Sequence, residues 1–114
     1  MRRPQFFFFR GSTPTLELSL PFAPEAEDAA CLTLAQDGTT VLEYALGGGT
    51  SAQGSMVPAE DDPSVLLVHM TQADTLRLRA GDCELQLRVR TAEGADTFVP
   101  IFGQIGEARK QGVI

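Results

Sequence analysis

Polar and apolar residues alternate one by one along most of this chain. Cys83, Leu85, Leu87 and Val89 take turns with Glu84, Gln86, Arg88 and Arg90. A strand points successive side chains to opposite faces, so this spacing predicts a half-buried strand, apolar side inward. Ala92-Glu93-Gly94 then supplies a turn, and Thr97 to Phe102 runs apolar again as the returning arm of an antiparallel hairpin. The same pattern runs from Thr15 to Phe22, with Leu16, Leu18, Leu20 and Phe22 on one face and Thr15, Glu17, Ser19 and Pro21 on the other. In Ala30 to Gln36 it turns Leu32 and Leu34 inward. Asp37-Gly38 follows, two residues that tolerate positive φ and favour a type I′ hairpin, and Thr39 to Leu46 reads as the partner strand.

Three stretches break the alternation. Ser64 to Met70 is apolar almost throughout, as expected of a central strand covered on both faces. Thr71-Gln72-Ala73-Asp74 has the spacing of a capping box, but Leu76 and Leu78 come too soon for a long helix, so a single helical turn is expected. Gly47 to Pro63 holds three consecutive glycines, Pro58 and Asp61-Asp62-Pro63, and reads as a long flexible loop (47–63) with a short strand around Met56-Val57. Gly103 to Ile114 reads as a C-terminal tail or docking arm. At least six strands, short turns and one helical turn predict a single domain over residues 1–114. Its fold class is all-β, an immunoglobulin-like antiparallel β-sandwich with one short helical turn, with a small closed barrel as the alternative.

Composition narrows the function classes. Hydrophobic residues make up 43% of the chain, enough for a packed core, and with no Trp and one Tyr that core is built from Leu, Val and Phe. A net charge of −6 repels phosphate backbones and anionic lipid, which argues against nucleic-acid and membrane partners. No apolar run approaches the roughly 20 residues that span a bilayer. Phe6 to Phe9, bounded by Arg10, also fall short of the roughly 7–15-residue apolar core of a signal peptide, so the expected location on synthesis is the cytoplasm.

Candidate chemistry is sparse. Cys31 lies on the face opposite Leu32 and Leu34, whereas Cys83 shares the inward face of its strand. A disulfide needs converging side chains, so two free thiols are expected. His69, the single histidine, sits in an apolar strand with no nucleophile placed beside it by any motif. Gly47-Gly48-Gly49 lacks the following Lys-Ser/Thr of a phosphate loop. Glu25, Glu27 and Asp28, and likewise Glu60, Asp61 and Asp62, lack the twelve-residue spacing of a calcium loop and read as solvated patches. The expectation is a protein that is not an enzyme and has no catalytic, cofactor or metal site.

Phe6, Phe7, Phe8 and Phe9 form the candidate interaction surface. In a strand, four successive Phe put two rings on each face. Either the strand lies between two layers or one face meets another subunit, because an edge strand with bare Phe invites aggregation.

Several segments carry a likeness: Gly11-Ser12-Thr13-Pro14-Thr15 before an alternating strand, Leu32 to Gly38, Met70 to Leu76, and Leu85 to Gly94. In these the chain resembles a family of small prophage-encoded proteins of Gram-positive gut bacteria, itself similar to the N-terminal β-sandwich of phage baseplate upper proteins. The likeness runs from Gly11 to Ile114 and rests on turn and cap signatures, so it transfers no site residue. It implies a structural component of a phage tail or baseplate. The expected partners are other tail or baseplate proteins and further copies of itself in a homo-oligomer, with the virion tail as final location. The alternative from another class is a β-sandwich module that recognises a cell-surface glycan or protein, and few Trp and Tyr platforms are present for a sugar.

Overall fold

The computed structural model describes residues 4–46, 54–98 and 100–107. Among the described residues, nine strands and one short helix follow in the order β1 (Phe7–Phe9), β2 (Thr15–Ser19), β3 (Ala29–Gln36), β4 (Thr39–Leu46), β5 (Gly54–Pro58), β6 (Val65–His69), α1 (Gln72–Leu76), β7 (Gly81–Thr91), β8 (Gly94–Thr97) and β9 (Ile101–Gly106). They form one continuous sheet in the order β1-β9-β7-β3-β4-β5-β6-β2, with β8 beside β7. The sheet curls into a half-barrel, so the inward rows of distant strands meet in a single core. The all-β, sandwich-like architecture expected from the alternation is the one found.

Period two decides what that core contains. Leu32 and Leu34 of β3, Leu42 and Tyr44 of β4, Met56 of β5, Leu66 and Val68 of β6, and Leu85 and Leu87 of β7 are all buried. Each large aliphatic side chain so buried contributes roughly 1.5–3 kcal/mol relative to exposure. The β3–β4 hairpin turns on Asp37 and Gly38, both at positive φ (52° and 75°), as the Asp-Gly dipeptide predicts. Helix α1 closes the capping box: Asp74 N–H donates to Thr71 Oγ1, and the Asp74 carboxylate accepts from the Thr71 N–H.

Buried polar groups tie the helix to the sheet. The Gln36 side chain donates to the Arg79 and Asp82 carbonyls at 2.8 and 3.1 Å and accepts from the Arg79 N–H at 2.9 Å. Fully buried Thr75 accepts from the Gly11 N–H and donates to the Ser12 carbonyl. Arg10 donates to the carbonyl of Leu76, the last residue of the helix, and to that of Leu78 just beyond its C-cap Arg77.

Three expectations need correction and a fourth is met in part. The sheet is not purely antiparallel: β1 runs parallel to β9, and β4 runs parallel to β5. Within the expected loop 47–63, the short strand expected around Met56-Val57 is present as β5, longer by a residue or two at each end and paired with both β4 and β6, and residues 47–53 lie outside those described. The tail expected from Gly103 begins later, because β9 continues to Gly106, and residues 108–114 lie outside those described. Ser64 to Met70 is flanked by strands on both sides yet covered on one face: Leu66 and Val68 are buried, Val65 and Leu67 half-buried and His69 exposed. Its apolar run measures the depth of the sheet there rather than a second covering layer.

The two ends of the sheet path are β1 and β2. They follow one another in sequence, joined by residues 10–14, but neither pairs with the other. A shallow cleft of about 320 Å³ separates them, lined by Gln5 and Phe6 on one side and Thr15 to Leu18 on the other.

Candidate functional site

The phenylalanine run divides as a strand requires. Phe8 is buried (7%) and Phe6 packs against the core, while Phe7 and Phe9 are exposed at 56% and 49%. One face of the run is therefore core packing and the other is exposed, and the strand does not lie between two layers. The strand is an edge, bonded to β9 alone within the sheet.

Three backbone bonds at and beside the ends of β1 fasten it to β9. Gln5 N–H donates to the Phe102 carbonyl, Gln104 N–H to the Phe6 carbonyl and Arg10 N–H to the Gly106 carbonyl. In a strand the intervening residue turns its N–H and C=O the other way, so the Phe7 backbone faces the open edge. Ser12 folds back onto Phe9, whose carbonyl accepts from both its N–H and its hydroxyl.

Two glycines shape the surface under the rings. An added Cβ at Gly103 would come closer than 3.0 Å to three atoms of the Phe6 ring, so the inner face of β9 is hollowed to seat it. At Gly106 an added Cβ would meet Phe7 Cζ at 2.7 Å and the Phe9 ring at 3.1 Å. On the outer face Phe7 and Phe9 lie edge to face, their centroids 5.1 Å apart. Edge-to-face is one of the arrangements that aromatic pairs prefer. Gln104, the register partner of Phe7, donates to Asp82 at 2.5 Å, which sets a polar rim beside the aromatic pair. Val57 of β5 is the third large hydrophobic exposed among the described residues.

A cleft of about 440 Å³ opens beside the rim, where Pro4 and Phe102 meet Asp37, Asp82 and Glu84. Asp37 is engaged by Arg79 in an ion pair. Among the described residues no group of three His, Cys, Asp or Glu side chains could hold a metal ion.

The remaining candidates lie apart. His69 Nδ1 is 3.0 Å from Thr15 Oγ1 across the β2–β6 pair, at an exposed position. Cys31 and Cys83 are both free, the first on the outer face and the second buried. Burial, then the hydrogen bond to Glu43 at 3.2 Å, pushes the Cys31 thiol up to about 11. Burial and the neighbouring Glu84 charge raise Cys83 to about 11 as well. Such thiols are protonated near neutral pH and make poor nucleophiles. No helix among the described residues is long and apolar enough to cross a membrane.

The two glycine seats were not singled out from sequence. Their signal was present in Phe102-Gly103 and Ile105-Gly106, where glycine interrupts an otherwise apolar strand and marks close approach of another group.

Fold and site together define a small all-β domain, a curled half-barrel that presents an aromatic pair on an edge strand. Among solved structures it is similar to the crystal structure of CopC from Methylosinus trichosporium OB3b, with a TM-score of 0.58 over 96% of this chain and 91% of that one, at 13% identity. At that identity the likeness is one of fold. No protein-family model matches the chain, and no curated protein matches it in sequence.

Proposed function

We propose that this domain is a non-enzymatic assembly module that docks on protein through the Phe7/Phe9 face of β1. The observation that carries this reading is two adjacent Phe rings, each about half exposed, on an edge strand bonded to one neighbour. An aromatic pair in water beside unpaired backbone groups is stable in isolation only at the risk of aggregation, and a partner removes that risk. Aromatic side chains also head the residues that dominate binding energy at protein interfaces. The protonated thiols, and a histidine whose hydrogen-bond contact is a surface threonine, favour a binding role over a catalytic one.

In the phage-tail setting that the turn and cap signatures resemble, this face becomes the joint between subunits of a tail or baseplate ring. A specific joint of this kind buries about 1,000 Å² or more. Sedimentation of the wild-type chain against Phe7→Ser/Phe9→Ser tests it. The expected result is an oligomer that falls to monomers with its circular dichroism unchanged. A wild-type chain that stays monomeric at millimolar concentration, and captures no neighbouring tail protein, overturns the reading. Tail and lysis genes beside the coding sequence would support the phage setting, and their absence would count against it.

A further inference from the structure

We infer that the β9 edge is a strand-binding site that takes β1 from a second copy of this chain, so that copies join by exchanging residues 4–10. This rests on the assembly reading above and names both the partner and the joint.

The seat is built, and the structure shows its occupant. Gly103 is hollowed for the Phe6 ring, Gly106 lies under Phe7 and Phe9, and the Gln5, Gln104 and Arg10 N–H groups complete the ladder. A second copy brings an identical segment, so every one of these contacts can form between chains. Strand addition to a sheet edge takes affinity from main-chain bonds and selectivity from alternate side-chain seats. Here those seats are two glycines matched to aromatic rings.

The segment is also separable. Its ladder bonds go to β9, and on its other side lies the open cleft facing β2. Withdrawing β1 breaks no other strand pairing, since β9 stays held by β7 along Gly81 to Leu85. The link behind it has the form of a hinge. Gly11 turns at φ 83°, between Arg10, which is fastened to the Leu76 and Leu78 carbonyls, and Ser12, which is fastened to Thr75. An extended Gly11 would carry Arg10 to the same two carbonyls of a neighbouring copy. Pro14, two residues past Ser12, biases Thr13 toward an extended conformation.

Charge favours the same occupant. Residues 1–10 hold Arg2, Arg3 and Arg10 and no carboxylate, while the whole chain is −6. The remainder is therefore more acidic than the chain as a whole, with Asp82 and Glu84 standing opposite Gln104 and Phe102 of β9. Two bodies repel, but each body attracts the basic segment of the other. Within one chain a short link gives β1 an effective concentration in the millimolar range, so the joined form is expected where copies are crowded or the turn is strained.

Two measurements test this. The first is Gly11→Val, which a φ of 83° penalises in the closed turn but an extended hinge does not. Light scattering should show the dimer fraction at a fixed concentration rise by about tenfold, because the left-handed strain of the β-branched residue falls on the closed turn alone. The second leaves Gly11 in place. In a Cys31→Ser/Cys83→Ala background, chains carrying Phe7→Cys are mixed with chains carrying Gln104→Cys, the register partner. A disulfide between the two kinds of chain is expected, well above that formed with a collision control at exposed Asp96→Cys. Trapping no better than that control, with Gly11→Val folded and monomeric, overturns the exchange. The two readings separate in Phe7→Ser/Phe9→Ser. If wild type does not depend on these rings but trapping persists, the outer-face reading fails alone. If an oligomer depends on them without trapping, the exchange fails alone.

Discussion

Gly103 and Gly106 sit three residues apart on β9 and face opposite ways, which makes them a controlled pair for substitution. Gly103→Ala drives a methyl into the Phe6 ring on the core side, where neighbours cannot retreat. Overpacking of this kind costs about 1–3 kcal/mol, and a lowered urea midpoint is the expected result. Gly106→Ala meets the far end of the exposed Phe7 ring, which can swing outward, so its midpoint should move much less. Titrating groups add a second residue-scale prediction. The thiols of Cys31 and Cys83 titrate near 11 in the fold against an ordinary 9.0, and burial and the Asp74 hydrogen bond push the Tyr44 hydroxyl upward as well. Each is a group whose folded value is raised. The stability it contributes is therefore present below the unfolded value and lost as pH climbs through the folded one. Urea midpoints should hold steady up to about pH 9 and fall between there and about 11. Cys83→Ala should flatten part of that slope.

At the scale of elements, the capping box is the most exposed piece of local design. Thr71→Ala removes the hydroxyl that satisfies Asp74 N–H, and loss of such a cap costs about 1 kcal/mol. The expected readout is faster amide exchange at Gln72 to Leu76, with the strands unaffected. This element was legible in the sequence because its bonds are local, as were the Asp37-Gly38 hairpin and the facing of Leu32, Leu34, Cys83 and Leu85. Alternation reports which side of a strand is inward, and it did so correctly from Thr15 to Ser19 and from Gly81 to Thr91. It cannot report which strands become neighbours. The parallel β1–β9 and β4–β5 pairs join segments far apart or separated by a long link, and no local signal marks them. Glycine-rich flanks blurred the ends of β5, expected only as a short strand around Met56-Val57, and made the end of β9 look like a tail. Ladder bonds and the rings seated on those glycines stabilise them instead, and both lie outside any short window of sequence.

For the whole molecule, the two faces of the phenylalanine run should separate folding from association. Phe6→Ser/Phe8→Ser removes two rings from the core, and losses of about 3–5 kcal/mol for each large aromatic approach the entire stability of a small domain. Such a chain should lose its β circular dichroism, or melt far below wild type. Phe7→Ser/Phe9→Ser should leave the melting temperature within a few degrees, because those rings contact water and each other. If both double variants unfold alike, the outer face is part of the fold and the proposed docking surface has to be abandoned. An edge strand also separates the two faces of one run: what it packs inward secures the domain, and what it shows outward is the face proposed for docking.

Tyr44 has a use of a different kind. The chain holds one tyrosine and no tryptophan, and its phenylalanines scarcely absorb near 280 nm, so emission excited there arises from a single ring. That ring is buried in the core, and its hydroxyl donates to Asp74 in the cap of α1 at 3.0 Å. A carboxylate at that distance quenches tyrosine fluorescence, so the native protein should be dim and brighten when the cap parts from the sheet. Excitation near 280 nm then follows one hydrogen bond without any label, and a brightening that precedes the loss of β signal would reveal the helix leaving first.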